Sequence, residues 1–243
     1  MELFYFHVAQ DVPSGFNLQT SVVIDVLRAT TTIACALNNG ADAVQTFADL
    51  DQLKEYSSIY SSSHKLLLGE RGGKKIEGFD LGNSPIGVKR DLVEGRRLFM
   101  STTNGTRALD RVKDSSNVYT MSFINRRAVA EKILFNKFDQ LLILGSGWEG
   151  SYSLEDSLAA GSLACLLMEL STVHVRIRND ELNAAIALWS YWKDDVQGCL
   201  RQSTHGQRLE RLGNHDDDFL CCSEIDKISI VPTQREQGVL VSL

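Results

Sequence analysis

The sequence predicts an α/β protein, with a layered α/β/α architecture around a mostly parallel or mixed sheet. Short apolar or β-branched runs alternate with segments of helical period, which is the order typical of this fold class. Several runs are apolar almost throughout, as expected of strands buried on both faces. Polar, glycine-rich segments recur where a strand is expected to end, and such loops present free backbone N–H groups to ligands.

The individual elements follow from these patterns in chain order. Strands are predicted at residues 3–7, 21–27, 43–47, 66–69, 97–101, 118–121, 141–144 and 228–231. Helices are predicted at residues 31–39, 49–60, 106–112, 126–136, 153–170 and 180–196. In the second helix, Leu50, Leu53 and Tyr56 form an apolar stripe that Asp49 would cap.

The composition predicts one globular domain. The chain has 243 residues, of which 43% are hydrophobic and 23% charged, so it can bury a sizeable core. No linker rich in proline, serine or glycine divides it. We therefore expect a single domain over residues 1–243, with a C-terminal subdomain from about residue 172 left open.

The charge balance and the cysteines limit the class of function. A net charge of -6 disfavours general nucleic-acid binding, because phosphate backbones are bound by basic surfaces. The five cysteines form no C-x-x-C pair and are expected to be reduced thiols. No apolar run approaches the roughly 20 residues of a membrane-spanning helix. We expect a cytoplasmic protein, and the apolar segment 184–192 leaves a homo-oligomer open.

The segment after the second predicted strand contains an acid, an arginine and three threonines. Asp25 and Arg28 could simply pair at the surface while Thr30 or Thr31 caps a helix. An acid inside an apolar strand is costly to bury without a partner, however, so a functional role is favoured. Asp25 is then a metal ligand or catalytic acid or base, and Arg28, Thr30 and Thr31 hold an anion.

The segment 101–106 is dense in hydroxyl groups. Helix capping needs one of them, whereas a phosphate or sulfonate could use several together with backbone N–H groups. The segment lacks the lysine and the spacing of a P-loop. The predicted substrate-binding residues here are Ser101, Thr102, Thr103, Asn104 and Gly105.

A glycine-rich stretch at 69–85 has little helical or strand period, and long ordered loops of this kind are usually functional. Arg71 and Asn83 are its predicted substrate-binding residues, with Glu70 and Asp80 as further candidate contacts. For each of them, a solvated position in a surface turn is an almost equal alternative.

The glycine-rich segment 145–150 leads into the predicted helix at 153–170. Ser146 is a predicted substrate contact and Glu149 a predicted catalytic acid. Glu155 and Asp156 could merely interact with the helix dipole. Because Mg²⁺ is commonly held by one or two carboxylates with waters and substrate oxygens, Asp25 with Glu149, Glu155 or Asp156 would suffice to bind it.

Two further segments superficially match phosphatase motifs. The pair Asp49 and Asp51 resembles the DxD of haloacid-dehalogenase-type phosphatases, but helix capping explains Asp49 better. The segment 203–206 lacks the Arg-His-Gly core of histidine phosphatases. His205 is interpreted as a helix-terminal histidine, although it could still meet an anionic substrate together with Arg208 and Arg211.

Five ordered segments resemble the motif series of the 2-phosphosulfolactate phosphatase (ComB) family: DVLRATT at 25–31, GERGG at 69–73, GFDLGNSP at 78–85, STTNGT at 101–106 and GSGWEG at 145–150. The resemblance spans about 22–156 and, less distinctly, 179–181 and 203–212. It implies the ComB fold and Mg²⁺-dependent hydrolysis of 2-phospho-3-sulfolactate to 3-sulfolactate and phosphate, a step of coenzyme M biosynthesis. A phosphatase of another small anionic phospho-hydroxy acid, or a non-catalytic anion-binding protein, remains an alternative.

The mechanism expected from these residues uses one cation. Mg²⁺ held by Asp25 and a second acid would bridge the phosphate and an attacking water. Arg28, Thr102 and Thr103 would stabilise charge on the transferring phosphoryl group, and Arg71 would hold the sulfonate or carboxylate. Covalent attack by a serine or threonine stays open.

Overall fold

The structure is a computed structural model that describes residues 1–16, 19–213 and 215–242. Its strands are β1 Glu2–Phe6, β2 Thr20–Ile24, β3 Ala43–Thr46, β4 Lys65–Arg71, β5 Lys74–Lys75, β6 Arg97–Ser101, β7 Asn117–Met121, β8 Gln140–Gly145, β9 Arg176–Ile177, β10 Pro232–Glu236 and β11 Val239–Ser242. Its α-helices are α1 Ala29–Asn38, α2 Leu50–Ser58, α3 Arg90–Val93, α4 Gly105–Val112, α5 Arg126–Asn136, α6 Leu154–Leu170, α7 Asp180–Trp192, α8 Val196–Gln202, α9 Thr204–Leu212 and α10 Asp216–Ser223.

These strands form one mixed sheet in the order β5-β4-β6-β3-β11-β10-β7-β2-β8-β1-β9. The strands β4, β6 and β3 are mutually parallel, and so are β7, β2, β8, β1 and β9. The hairpin β10–β11 lies between these two sets and pairs antiparallel with each of them. Because three successive pairings are antiparallel, the two parallel sets run in opposite directions.

Helices cover both faces of the sheet, as predicted. Along β2 the side chains alternate between the two faces, so that Val22 and Ile24 join one hydrophobic core and Val23 joins the other. The first core includes α5, α6 and α7, and the second includes α1 and α4. The layered α/β/α fold with a mixed sheet is therefore confirmed.

Most predicted elements occur within a few residues of their expected positions, but the last predicted strand is wrong. Residues 228–231 are not a strand, and β10 begins at Pro232 instead. Proline has no N–H to donate, and the first residue of a strand is a position where this is tolerated. The predicted helix at 180–196 is also too long, because α7 ends at Trp192 and a separate helix, α8, begins at Val196.

The C-terminal part of the chain packs closely on the rest. The short helices α8, α9 and α10 follow one another, and α10 contacts the 3-10 helices Pro85–Gly87 and Phe123–Asn125. The described cysteines are all free thiols. In the parts of the chain that the structure covers, no helix combines the length and the apolar character needed to cross a membrane.

Candidate active site

A small, largely buried pocket collects side chains from loops that lie far apart in the sequence. Loops after β2, β4, β6 and β8, the loop around residue 83, and the start of α9 all contribute to it. Its lining residues are Asp25, Leu27, Arg28, Glu70, Gly73, Asn83, Thr102, Asn104, Trp148 and His205. Since the two parallel sets of strands run in opposite directions, one shared sheet edge does not account for this meeting. Instead, α4 packs on β2 and so brings the loop after β6 to the loop after β2.

Asp25 lies at the end of β2 and is 7% exposed. Its Oδ1 atom accepts a hydrogen bond from the backbone N–H of Ala29 at 3.1 Å, while its Oδ2 atom accepts none from the described residues. Gly105 lies so close that an added Cβ there would be 2.7 Å from Oδ2. Burial raises the pKa of Asp25 to about 6. The positive charge of His205 lowers this pKa, and the negative charges of Glu70 and Glu155 raise it further.

Arg28 is the buried cation of the pocket and is 5% exposed. Its Nη1 atom donates to Asp218 Oδ2 at 2.5 Å and lies 3.2 Å from His215 Nδ1. Within the described part of the chain, Nε and Nη2 make no hydrogen bond. Because the guanidinium lines the pocket, these two donors are available to an anion. The peptide bond between Leu27 and Arg28 is cis.

Glu70 joins two of the pocket loops. Its Oε2 atom accepts from the N–H of Gly73 at 2.7 Å, and its Oε1 atom accepts from the N–H of Thr103 at 2.8 Å. One carboxylate therefore fixes the glycine turn after β4 and the hydroxyl-rich loop after β6 relative to each other. Glu70 was weighed in the sequence only as a general polar contact.

Asn83 is 5% exposed, and its Oδ1 atom is buried without a hydrogen-bond partner among the described residues. An unpaired buried carbonyl oxygen is costly in a folded protein and marks a place where a ligand can complete the hydrogen-bonding or coordination pattern. Asn83 lines the same pocket as Asp25, so two unpaired oxygen ligands are available there.

The loop after β6 contributes Thr102 and Asn104 to the lining. The hydroxyl of Thr102 accepts from the N–H of Thr106 at 3.3 Å, and the buried Oγ1 of Thr103 has no described partner. Ser101 lies behind the loop, where its hydroxyl donates to Phe47 O and accepts from Arg71 Nη2 at 2.9 Å. Arg71 is thereby placed beside the pocket and not in its lining.

Asp156 and Glu155, at the start of α6, are both 2% exposed and have different partners. Asp156 accepts from the N–H groups of Val26 at 2.9 Å and Ser146 at 3.2 Å, so both of its oxygens are occupied. Burial and the charges of Asp25 and Glu155 raise the pKa of Asp156 well above its usual value. Its carboxylate joins the loop after β2 to the end of β8.

Glu155 faces His205, with 3.2 Å between Glu155 Oε1 and His205 Nδ1. Burial alone would raise the pKa of Glu155, but the hydrogen bond and charge of His205 outweigh it, and the pKa lies below its usual value. The His205 ring also stacks on Trp148, with a centroid distance of 4.0 Å and an interplanar angle of 19°. These two contacts fix the imidazole at the pocket wall.

The predicted site residues in and around the pocket divide into three groups. Asp25, Arg28, Asn83, Thr102 and Asn104 line the pocket. Hydroxyls of three others are used inside the fold, because Thr30 donates to Asp25 O and Met121 O, Thr31 to Val26 O and Ser146 to Ile24 O. Gly105, Thr103, Ser101, Arg71, Glu155 and Asp156 support the lining from behind or beside it.

Glu149 is not itself among the lining residues, although it directly follows Trp148, which is. It lies in a tight turn with a φ of 49°, its side chain is 63% exposed, and Oε1 is 3.7 Å from Arg208 Nη1. Trp148 and Asp218, which were not predicted, and His205, which was interpreted as a helix-terminal histidine, complete the surroundings of the pocket. His205 and Asp218 come from short helices near the C-terminus, where no glycine-rich motif draws attention to them.

The donor set suits a hard divalent cation that keeps part of its water shell. Among the described residues, no three His, Cys, Asp or Glu side chains are arranged to hold a metal ion by themselves. Mg²⁺ does not require such a cage, because it is commonly bound by one or two protein oxygens, waters and phosphate oxygens. The unpaired oxygens of Asp25 and Asn83 match this requirement, and the surrounding acids supply the negative charge.

Comparison with known proteins identifies the family of the chain. Residues 6–237 match the family described as 2-phosphosulpholactate phosphatase. A protein of Prochlorococcus marinus named "Probable 2-phosphosulfolactate phosphatase" is 71% identical over the full length of both chains. A protein of the same name from Synechococcus sp. (strain WH7803) is 58% identical over 99% of this chain and 98% of the relative. Another, from Microcystis aeruginosa (strain NIES-843 / IAM M-2473), is 49% identical over the full length of both chains. The chain belongs to the 2-phosphosulpholactate phosphatase family.

Proposed function

We propose that this protein is a Mg²⁺-dependent phosphatase that hydrolyses 2-phospho-3-sulfolactate to 3-sulfolactate and phosphate. One observation carries the proposal. A guanidinium with two unpaired donors, on Arg28, and a carboxylate with an unpaired oxygen, on Asp25, line the same small buried pocket. The proposed substrate is taken from the names of the relatives.

The phosphoryl group is bound by Arg28 and by the loop after β6. Nε and Nη2 of Arg28 form a planar pair of donors, which suits two oxygens of one phosphate. Thr102 and Asn104 lie in the same lining and belong to the loop that leads into α4. Donors held in place before the substrate arrives stabilise the charge that spreads over the phosphoryl oxygens in the transition state.

Asp25 and Asn83 are the residues that would hold Mg²⁺, with Glu155 adding negative charge behind them. When bound, the ion would supply charge neutralisation on the phosphate and activation of a water. The raised pKa of Asp25 reflects a carboxylate buried near other acids without a paired cation. A positive ion beside its Oδ2 atom would relieve that cost.

His205 is suited to donate a proton to the leaving hydroxyl. Glu155 holds Nδ1, so Nε2 is the nitrogen left for the pocket, and the Trp148 ring prevents the imidazole from rotating. The alkoxide of a secondary alcohol is a poor leaving group, so a proton delivered in the transition state accelerates cleavage. The covalent and direct-water routes use the same proton donor.

Phosphate release from a panel of phosphomonoesters, with and without Mg²⁺, tests the assignment. The panel contains 2-phospho-3-sulfolactate, the same molecule without the sulfonate and a simple alkyl phosphate. We expect the highest kcat/KM for 2-phospho-3-sulfolactate and loss of turnover when Mg²⁺ is chelated. A higher kcat/KM for another phospho-hydroxy acid would make that compound the assigned substrate. No phosphate release from any member of the panel would indicate a non-catalytic anion-binding protein.

A further inference from the structure

Asp218 on α10 connects two loops of the pocket although it belongs to none of the glycine-rich segments. It is 3% exposed. Its Oδ2 atom accepts from Arg28 Nη1, and its Oδ1 atom accepts from Ser84 Oγ, both at 2.5 Å. Each oxygen of one carboxylate therefore holds a different loop, the one that carries Arg28 and the one that carries Asn83.

The way Arg28 is held determines which of its donors face the pocket. Asp218 occupies Nη1, and His215 Nδ1 lies 3.0 Å from the same Asp218 Oδ2 atom and 3.2 Å from Nη1. A guanidinium is planar and rigid, so fixing Nη1 also fixes the direction of Nε and Nη2. Nε and Nη2 are the two Arg28 nitrogens that make no hydrogen bond with the described residues.

Ser84 gives Asp218 a second effect on the site. It directly follows Asn83, whose Oδ1 atom is buried and unpaired. The 3-10 helix Pro85–Gly87 also contacts α10, so the segment after Asn83 is held against this helix both at the serine and just beyond it. The register of α10 thus sets the positions of a proposed anion donor and a proposed cation ligand together.

We propose that Asp218 is a positioning residue for phosphate binding, which acts by orienting Arg28 and by fixing the loop of Asn83. This inference rests on the proposed function only in giving Arg28 the role of phosphate ligand. It assigns no contact between Asp218 and the substrate. Its first prediction is that phosphate affinity falls when Asp218 is changed, even when the fold remains intact.

The test measures binding of inorganic phosphate by calorimetry in the full-length protein, with and without Mg²⁺, beside the melting temperature. The variants are Asp218→Asn and Asp218→Ala, and Ser84→Ala removes only the link to Asn83. Asp226→Ala is the matched control, because Asp226 forms the ion pair with Arg126 at 2.6 Å, is partly buried and lies in the same C-terminal region away from the pocket.

The expected result is a loss of phosphate affinity on the order of tenfold or more for both Asp218 variants, as for losing a charge-assisted hydrogen bond. Ser84→Ala should weaken phosphate binding with Mg²⁺ present more than without it. Asp226→Ala should lower the melting temperature and leave the affinity unchanged. Added formate, which can occupy the space of the missing carboxylate, should restore part of the affinity of Asp218→Ala.

Three results would overturn the proposal. The first is a wild-type protein that does not bind phosphate, and the second is Asp218→Asn binding phosphate as tightly as the wild type. The third is an equal loss in Asp226→Ala, which would reduce Asp218 to a general stabilising role. If Asp218→Ala does not fold, Asp218→Asn and Ser84→Ala still decide the question. Failure of the substrate assignment is distinguishable, because phosphate binding does not depend on which ester is hydrolysed.

Discussion

Asp25 is a buried acid whose surroundings disfavour its charge. In the folded protein its pKa is about 6, compared with an ordinary value of 3.8. The folded state therefore binds this proton more tightly than the unfolded state does. The tighter proton binding contributes to the free energy of unfolding. This contribution is fully present below about pH 4 and is lost as the pH rises through about 6, and its total size is roughly 3 kcal/mol.

Asp25→Asn should consequently stabilise the metal-free protein at high pH. The amide keeps an oxygen for the Ala29 N–H but carries no charge. We expect the variant to gain on the order of 1–3 kcal/mol in unfolding free energy at pH 8 and about half as much at pH 5, measured by urea denaturation. The same variant should be inactive. A variant that is less stable than the wild type at pH 8 would contradict this account of the pocket charge.

His205 allows a second prediction at the scale of one residue. If its Nε2 atom protonates the leaving hydroxyl, His205→Gln should lower kcat for 2-phospho-3-sulfolactate by about 10²–10⁴. The loss should be far smaller for 4-nitrophenyl phosphate, whose phenolate leaves without a proton. Equal losses for the two substrates in steady-state kinetics would instead indicate that His205 only supports Trp148.

Among the secondary-structure elements, the junction of β2, β8 and α6 depends on Asp156. Its two oxygens accept backbone N–H groups from the ends of both strands, and α6 begins beside it. Removal of the carboxylate would leave two buried N–H groups without partners, each at a cost of about 1–3 kcal/mol.

Asp156→Ala should therefore be strongly destabilising, by about 2–5 kcal/mol in urea unfolding. Asp49→Ala is a suitable comparison, because Asp49 caps the exposed start of α2 with one hydrogen bond to Gln52 N at 2.8 Å. Loss of that cap should cost only about 1 kcal/mol. Similar losses for the two variants would show that Asp156 does not join the strands as described.

Most of this framework was predictable at the scale of elements. The strand of Val22–Ile24 reads as an uninterrupted apolar run, and α6 is apolar along most of its length with acids in its first turn, so both were found from local signals. By contrast, α8, α9 and α10, at seven to nine residues each, were not predicted as separate helices, although the equally short α4 was. Asp218 was missed as a site residue, whereas His205 was weighed as a contact to an anionic substrate but interpreted as a helix-terminal histidine.

For the whole molecule, the sequence indicated the layered architecture but not the opposite directions of the two parallel sets. That feature depends on the hairpin β10–β11, which comes from the C-terminus and pairs with β7 and β3. Pairings between strands more than one hundred residues apart leave no local pattern in the sequence. The glycine-rich loops were correctly grouped in part, because Asp25, Arg28, Asn83, Thr102 and Asn104 do meet in one pocket.

The central claim is that Arg28 and Asp25 in this pocket carry out phosphate-ester hydrolysis. Its most direct test is the rate of phosphate release from 2-phospho-3-sulfolactate with Mg²⁺ by the wild type, Asp25→Asn and Arg28→Lys. The account predicts turnover by the wild type and losses of at least about 10²-fold in both folded variants. Wild-type rates in either variant, or no phosphate release by the wild type, would contradict it.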